Sequence, residues 1–421
     1  MFAKLKPKSE FSRNVLTLMT GTTIAQAIPI AISPILTRIY TPEDFGVLAL
    51  FVAIVSIFGS VASGRYELAI MLPKKDEDAI NIFALGFIIT TAISLILLIV
   101  IFLFNEYLIE ILGNREIGVW LYFVPITVFF IGIFNILNYF NNRKRQYKDI
   151  AVATIIKSMV LAVIQLSVGF FKQGASGLIG GQIISNIFAN IRLLKNIIKD
   201  KKLISKISKV KIVALGKRYK NFPLISLPSN FINVLNQNLV NMLISTLYNI
   251  KTLGFYALIQ RVLGVPSSLI GSSIGQVFFQ EASKERQESG YAIKIFTSTV
   301  IKLLLIAIPI YGILFLIVED LFSFVFGEKW QIAGEYAKVL VPLFCIRFIS
   351  SSVSAINTVF EKQLYGLYIS FILLMTSLSV IFISSYYEID TKSFFFYFSF
   401  CLSIDYLLFL LFYYFISQGK F

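Results

Sequence analysis

Twelve apolar runs, each close to twenty residues long, leave this chain few ways to fold. A run of that length crosses the hydrocarbon core of a bilayer as a helix, with its backbone groups bonded within the segment. A membrane β-barrel would instead read as alternating segments of about 10 residues. The runs fall at 14–37, 46–64, 79–104, 117–139, 150–171, 174–193, 223–248, 252–279, 291–317, 335–359, 363–385 and 393–416. The chain is 57% apolar and only 14% charged, where soluble domains run nearer 45–50% and 25%. The fold class expected is all-α: a polytopic membrane protein of about 12 transmembrane helices.

The positions of the basic residues set the orientation. With the N-terminus inside, 27 of the 38 Lys and Arg fall in inner connections and 6 in outer ones. That asymmetry is the positive-inside pattern and predicts both termini in the cytoplasm. It also accounts for the net charge of +15 without nucleic acid as a partner. The basic start MFAKLKPKSEFSRN leads into a long run with no small-residue cleavage pattern. It reads as a retained first helix, not a removed signal peptide. The longest outer connection, near 318–334, is too short for a soluble domain.

The longest inner connection, 192–222, divides the chain. The expected domains are an N-terminal six-helix lobe (1–193), a basic cytoplasmic linker (194–222) and a C-terminal six-helix lobe (223–421). Lys199, Lys202, Lys206 and Lys209 recur at helical spacing, with Leu203, Ile207, Val210 and Ala214 on another face. This predicts a basic amphipathic helix on anionic lipid. A tether between the halves is favoured over direct contact with substrate.

The halves carry traces of a parallel repeat. An offset of 208 pairs Tyr40 with Tyr248, Gly46 with Gly254, Ala49 with Ala257 and Leu50 with Leu258. Both segments sit at the outer turn between the first two helices of a half. Two six-helix halves related by an axis along the membrane normal are a known transporter plan.

A transporter needs a polar path, and polar groups at membrane depth face the bundle interior or a cavity. In the seventh span Asn230, Asn233, Gln237 and Asn241 share one helical face. The first span, its repeat partner, carries Thr22, Gln26 and Ser33, with Pro29 and Pro34. Prolines free carbonyls that can line a cavity. Interhelical hydrogen bonding is the competing role for these amides. The charged candidates inside spans are Lys157, Arg261, Lys302, Arg347 and Asp405. Arg261 has the donor fork that matches phosphate, or it snorkels to the outer interface. Asp405 reads as an ion-coupling site or as a counter-ion to an arginine. Lys157 and Lys302 lie near inner ends and are expected to snorkel. Gly271 with Gly275, and Gly177 with Gly181, have the small-xxx-small spacing of close helix contacts.

Several chemistries are missing. There is no His. Cys345 and Cys401 both lie in apolar runs and suggest neither a disulfide framework nor a zinc site. There is no Walker A loop. Glu43 and Asp44 follow Thr41-Pro42 and read as a turn and helix cap. No cofactor, metal site or catalytic residue is expected, so the chain is read as not an enzyme.

Three stretches resemble one family: LTRIYTPEDFGVLALF from Leu36, RYELAIMLPKKDEDA from Arg65, and Leu227–Ala282, which contains LPSNFINVLNQNLV and GFYALIQRVLGVPSSLIGSSIGQVFFQEA. They are similar to the polysaccharide-transport flippases of the multidrug/oligosaccharidyl-lipid/polysaccharide exporter superfamily, which move O-antigen and capsule repeat units. The resemblance implies two six-helix lobes forming a V around a central cavity in a bacterial inner membrane. It implies an undecaprenyl-diphosphate-linked oligosaccharide as cargo, flipped from the cytoplasmic to the periplasmic leaflet by alternating, ion-coupled access. Arg261 would then meet the pyrophosphate. Asn230, Asn233, Gln237, Asn241 and Gln26 would meet sugar hydroxyls, and Asp405 would couple an ion. Expected partners are the lipid-linked oligosaccharide, membrane lipids, a polysaccharide polymerase and a chain-length regulator. A cation-coupled multidrug exporter of the same superfamily and a membrane polymerase of lipid-linked sugars are the alternatives.

Overall fold

The computed structural model describes residues 10–171 and 174–419. The basic stretch through residue 9, Lys172 and Lys420, on which the expected orientation partly rests, lie outside the described residues. Among the described residues every regular element is helical. The chain falls into two compact units. One holds the residues up to Tyr40 with Val47–Met242, the other Thr41–Gly46 with Leu243–Phe421.

The first unit is built from α1 (Glu10–Ile39), α2 (Pro42–Gly59, its first turn counted with the second unit), α3 (Tyr66–Ala69), α4 (Asp76–Leu112), α5 (Ile117–Leu121), α6 (Val124–Arg143), α7 (Tyr147–Phe171), α8 (Ser176–Ile198), α9 (Lys201–Ile204) and α10 (Lys209–Arg218). A π-turn, Phe222–Ser226, leads into α11 (Leu227–Leu247, its end from Leu243 counted with the second unit). Helix α7 packs on both α1 and α8, and α6 packs on both α4 and α8. Glycines let these helices close up: a Cβ on Gly177 would lie 2.0 Å from the Tyr40 hydroxyl, and one on Gly181 would lie 2.8 Å from Gln165 Cγ.

The second unit continues with α12 (Ile250–Leu263), a π-turn (Ser267–Gly271), α13 (Ser272–Ser289), α14 (Ile293–Phe326), a short 3-10 turn (Glu328–Trp330), α15 (Gln331–Val353), α16 (Ile356–Val359), α17 (Gln363–Tyr386) and α18 (Thr391–Ser417). Helix α15 is the hub, contacting α12, α14 and α18. Its buried Leu340, Phe344 and Phe348 supply the core there.

Long apolar helices with much exposed Phe and Leu, such as Phe102, Leu103, Leu305 and Leu316, have the surface of a chain solvated by lipid. Among the described residues nine helices are long and apolar enough to cross a membrane, and ten if α12 and α13, bent by 45°, count as one span. The expected spans 174–193 and 223–248 are also helical, as α8 and as the π-turn with α11. They fall short of the apolarity of the others because they carry amide-rich faces: Gln182, Asn186 and Asn190 on α8, and Asn230 to Asn241 on α11.

Two expectations are corrected. The outer connection near 318–334 is mostly helix. Buried Phe322 and Phe326 extend the apolar stripe of α14 to Gly327, whose φ of 98° ends it. The linker is not one amphipathic helix. Asp200 caps α9 by accepting from Leu203 N at 3.1 Å, the chain turns at Ser205–Ile207, and Ser208 opens α10. Buried Asn81 of α4 fixes that turn: it donates to the Lys206 carbonyl at 3.0 Å and accepts from Ser208 N at 2.8 Å. Lys206 and Lys211 flank Glu77 at 3.6 and 3.1 Å. Tyr66 donates to the Gly216 carbonyl at 3.0 Å. Leu203 and Leu215 join the core of Ile80, Ile136, Leu137 and Phe140, each burial worth about 1.5–3 kcal/mol. The linker is therefore docked on the first unit.

Candidate functional site

Polar groups that survive inside apolar helices mark where a path could run, and each is fixed by its own helix. In the first unit α11 opens through a π-turn that contains Pro223, with Pro228 just beyond it. Proline cannot donate to the ladder, so carbonyls at this start are released. The amide face follows. Asn230, Asn233 and Asn241 are half-buried and Gln237 is exposed. Asn230 donates to the Ser60 carbonyl at the end of α2, at 3.3 Å. Off that face, Asn238 spends its amide on the Val234 carbonyl of its own helix at 2.8 Å.

On α1, Gln26 and Thr22 are exposed, and Thr22 donates to the Leu18 carbonyl at 2.8 Å. Ser33, expected beside them, is buried and donates to the Pro29 carbonyl at 2.7 Å. Its hydroxyl is spent on its own helix and does not extend the exposed face.

In the second unit α12 begins with Asn249 capping Thr252 N at 2.8 Å and runs to the break at Gly264–Pro266. Arg261 lies half-buried in its last turn, next to that break. Just before this break the Leu263 carbonyl accepts from the Tyr311 hydroxyl at 3.0 Å. Asp405 is half-buried on α18, hydrogen-bonded by the Thr376 side chain of α17. Its second carboxylate oxygen is buried without a hydrogen-bond partner. Arg347 is exposed, with its guanidinium 5.7 Å from the Phe344 ring. Lys157 lies 5.1 Å from the Phe134 ring, and Lys338 pairs with Glu319 at 3.4 Å. Lys302 is exposed.

The expected site residues thus fall into separate groups: the α11 amides and Gln26 in the first unit, Arg261 and Asp405 in the second. Sequence reasoning missed two features. One is the pair of π-turns, which the Pro223-x-x-x-x-Pro228 and Pro266-Ser267-Ser268 stretches signal in part. The other is a run of hydroxyls on α13 and α15, for which the sequence signal in GSSIG is the glycine spacing alone. Among the described residues no group of three or more Cys, Asp or Glu is placed to hold a metal ion.

Comparison with known proteins agrees with this architecture. A family profile described as "Polysaccharide biosynthesis protein" matches residues 35–334. The succinoglycan biosynthesis transport protein ExoT of Rhizobium meliloti (strain 1021) is 21% identical over 313 residues, 71% of this chain and 59% of that protein. The matched region therefore spans well under two thirds of that relative's length. Among solved structures, the lipid II flippase MurJ in an inward closed conformation aligns with a TM-score of 0.69 and 16% identity, over 94% of this chain and 87% of MurJ. An inward-facing multidrug resistance MATE transporter of the MOP superfamily aligns at 0.67 and 14%, over 94% and 93%. The second pair shares the fold. The chain belongs to the polysaccharide biosynthesis protein family and has the all-helical membrane fold of the MOP superfamily.

Proposed function

We propose that this protein is a flippase. It moves undecaprenyl-diphosphate-linked oligosaccharide repeat units from the cytoplasmic to the outer leaflet by alternating, ion-coupled access, for O-antigen, capsule or exopolysaccharide synthesis. The observation that carries this reading is the amide face of α11, four groups on one side of a membrane helix with Gln237 exposed. Such a face is costly against acyl chains and suits a polyhydroxylated cargo. Arg261 holds the pyrophosphate, the amides and Gln26 exchange water for sugar hydroxyls, and Asp405 takes the coupling cation. The membrane potential supplies about 2.3 kcal/mol per charge per 100 mV to drive it. The chain sits in a bacterial inner membrane with both termini cytoplasmic and twelve crossings. Its repeat halves are 1–193 and 223–421, joined by 194–222. A polymerase and a chain-length regulator are its partners, and it catalyses no covalent step.

The test is complementation of a deletion strain. Arg261→Ala and Arg261→Lys each lose a charge-assisted, forked contact, so surface polysaccharide falls about 10- to 100-fold at unchanged protein level. Full function in both variants removes Arg261 as the anchor. A multidrug exporter is the second reading, favoured by the MATE alignment at a TM-score of 0.67. Drug resistance on overexpression, with normal surface polysaccharide in the deletion strain, selects it.

A further inference from the structure

A groove of about 550 Å³ opens in the second unit, between α13 with its preceding π-turn and the C-terminal end of α15. Its size is in the range of small-molecule sites. Two glycines make it. A Cβ on Gly271 would lie 2.8 Å from Ser352 Oγ, and one on Gly275 would lie 3.1 Å from the Ser352 carbonyl oxygen. Bare backbone therefore seats α13 on α15 and leaves the flanking side chains standing clear.

Those side chains are of one chemical kind. Ser272 donates to the Ser268 carbonyl at 2.6 Å, and Ser352 and Ser351 donate to the Phe348 carbonyl at 2.7 and 3.4 Å. With each proton spent on its own helix, each hydroxyl oxygen is left to accept. Gln276, exposed beside them, both donates and accepts. Phe279 is 43% exposed and offers an apolar ring face. None of the nine residues lining the groove is charged. Ser272, Gln276 and Ser351 are all exposed within apolar spans, a pattern that suits contact with water or cargo and not with acyl chains.

We propose that this groove is a subsite for a neutral sugar ring of the translocated oligosaccharide. The inference rests on the flippase reading and adds the part of the cargo that this surface takes. Acceptor oxygens with one amide fit a ring bearing several hydroxyl donors, and the Phe279 face fits its C–H side. A pyrophosphate finds no cation here.

Two measurements on the full chain separate the outcomes. In the first, Gln276→Cys is placed in a Cys345→Ala, Cys401→Ala background, reconstituted in liposomes and labelled with a maleimide. Maltotriose is expected to slow labelling about threefold, a hydrogen-bond-sized effect. Sodium pyrophosphate should not slow it, and Ser298→Cys on α14 should respond to neither. Protection by pyrophosphate alone, or none by the sugar, overturns the subsite. In the second, Ser272→Leu and Gln276→Leu are tested for rescue of a deletion strain. A drop of at least about fivefold in surface polysaccharide at equal protein level supports the subsite. Full rescue overturns it and leaves the flippase reading standing. A deletion strain with normal polysaccharide removes the flippase reading instead, and the labelling result then decides on its own whether the groove binds sugar.

Discussion

Gly46 and Gly254 hold the starts of α2 and α12 against each other in a reciprocal contact. A Cβ on Gly46 would lie 2.0 Å from the Ile250 carbonyl oxygen, and one on Gly254 would lie 1.8 Å from the Pro42 carbonyl oxygen. The offset of 208 that relates the two glycines also relates Pro42 to Ile250. It relates the caps as well: Asp44 N donates to Thr41 Oγ1 at 3.2 Å, and Thr252 N donates to Asn249 Oδ1 at 2.8 Å. Each helix start thus offers the same surface to the other. Neither position has room for a side chain. Gly46→Ala and Gly254→Ala are each expected to cost about 1–3 kcal/mol, as overpacking does. A lowered melting temperature of the purified protein in detergent checks this, and wild-type melting in both variants refutes the contact.

The same offset relates a pair of charges. Glu43 and Lys251, also 208 apart, meet at 3.3 Å. Both side chains are 40% or more exposed, so the bond is worth no more than about 1 kcal/mol. Glu43→Lys and Lys251→Glu should each lower stability slightly, and the double exchange should restore it. A double-mutant cycle showing no coupling would mean that the pair is ornamental.

Asn81 ties the linker to α4 through its fully buried amide. Asn81→Leu leaves the Ser208 amide and the Lys206 carbonyl unsatisfied, at about 1–3 kcal/mol for each group that stays buried. The expected result is faster tryptic cleavage between Lys199 and Lys220 in the folded protein. Unchanged cleavage kinetics would show that Leu203, Leu215, Tyr66 and the Glu77 ion pairs hold the linker without Asn81.

Asp390 caps α18, accepting from Lys392 N at 3.0 Å and Ser393 N at 3.1 Å. Its hydrogen bonds, with the Ser393 side chain foremost, hold the carboxyl below its ordinary range. A depressed acid of this kind stabilises the fold fully above its unfolded-state value. The contribution fades as pH falls through the lower folded value. Asp390→Asn should therefore melt earlier than wild type at pH 7, and the gap should close in acid. A gap that is constant from pH 7 down to about 2.5, well below the usual carboxylate value, would place the effect elsewhere.

Much of this molecule was legible in residue order because its strongest signal is solvent preference. Apolar runs marked the helices, and Pro42-Glu43-Asp44 marked the turn and cap at the start of α2. What could not be read was everything decided by a partner distant in sequence. The lysine spacing from Lys199 to Lys209 suits a single helix, but Asn81, more than a hundred residues earlier, bends it. Ser33 is a local case: it shares a helix face with Gln26 in projection, yet it is buried and its hydroxyl is spent on the Pro29 carbonyl four residues back. The serines of α13 gave no signal of their own because the groove they line also needs Ser351 and Ser352, far along the chain.

The docked linker has a consequence for anyone wishing to produce the protein as two co-expressed fragments. A division after residue 193 would strip Leu203 and Leu215 from the first fragment's own core and leave Asn81 facing an open hole. A division in the exposed Lys220–Asn221 stretch keeps both plugs with the piece they seal.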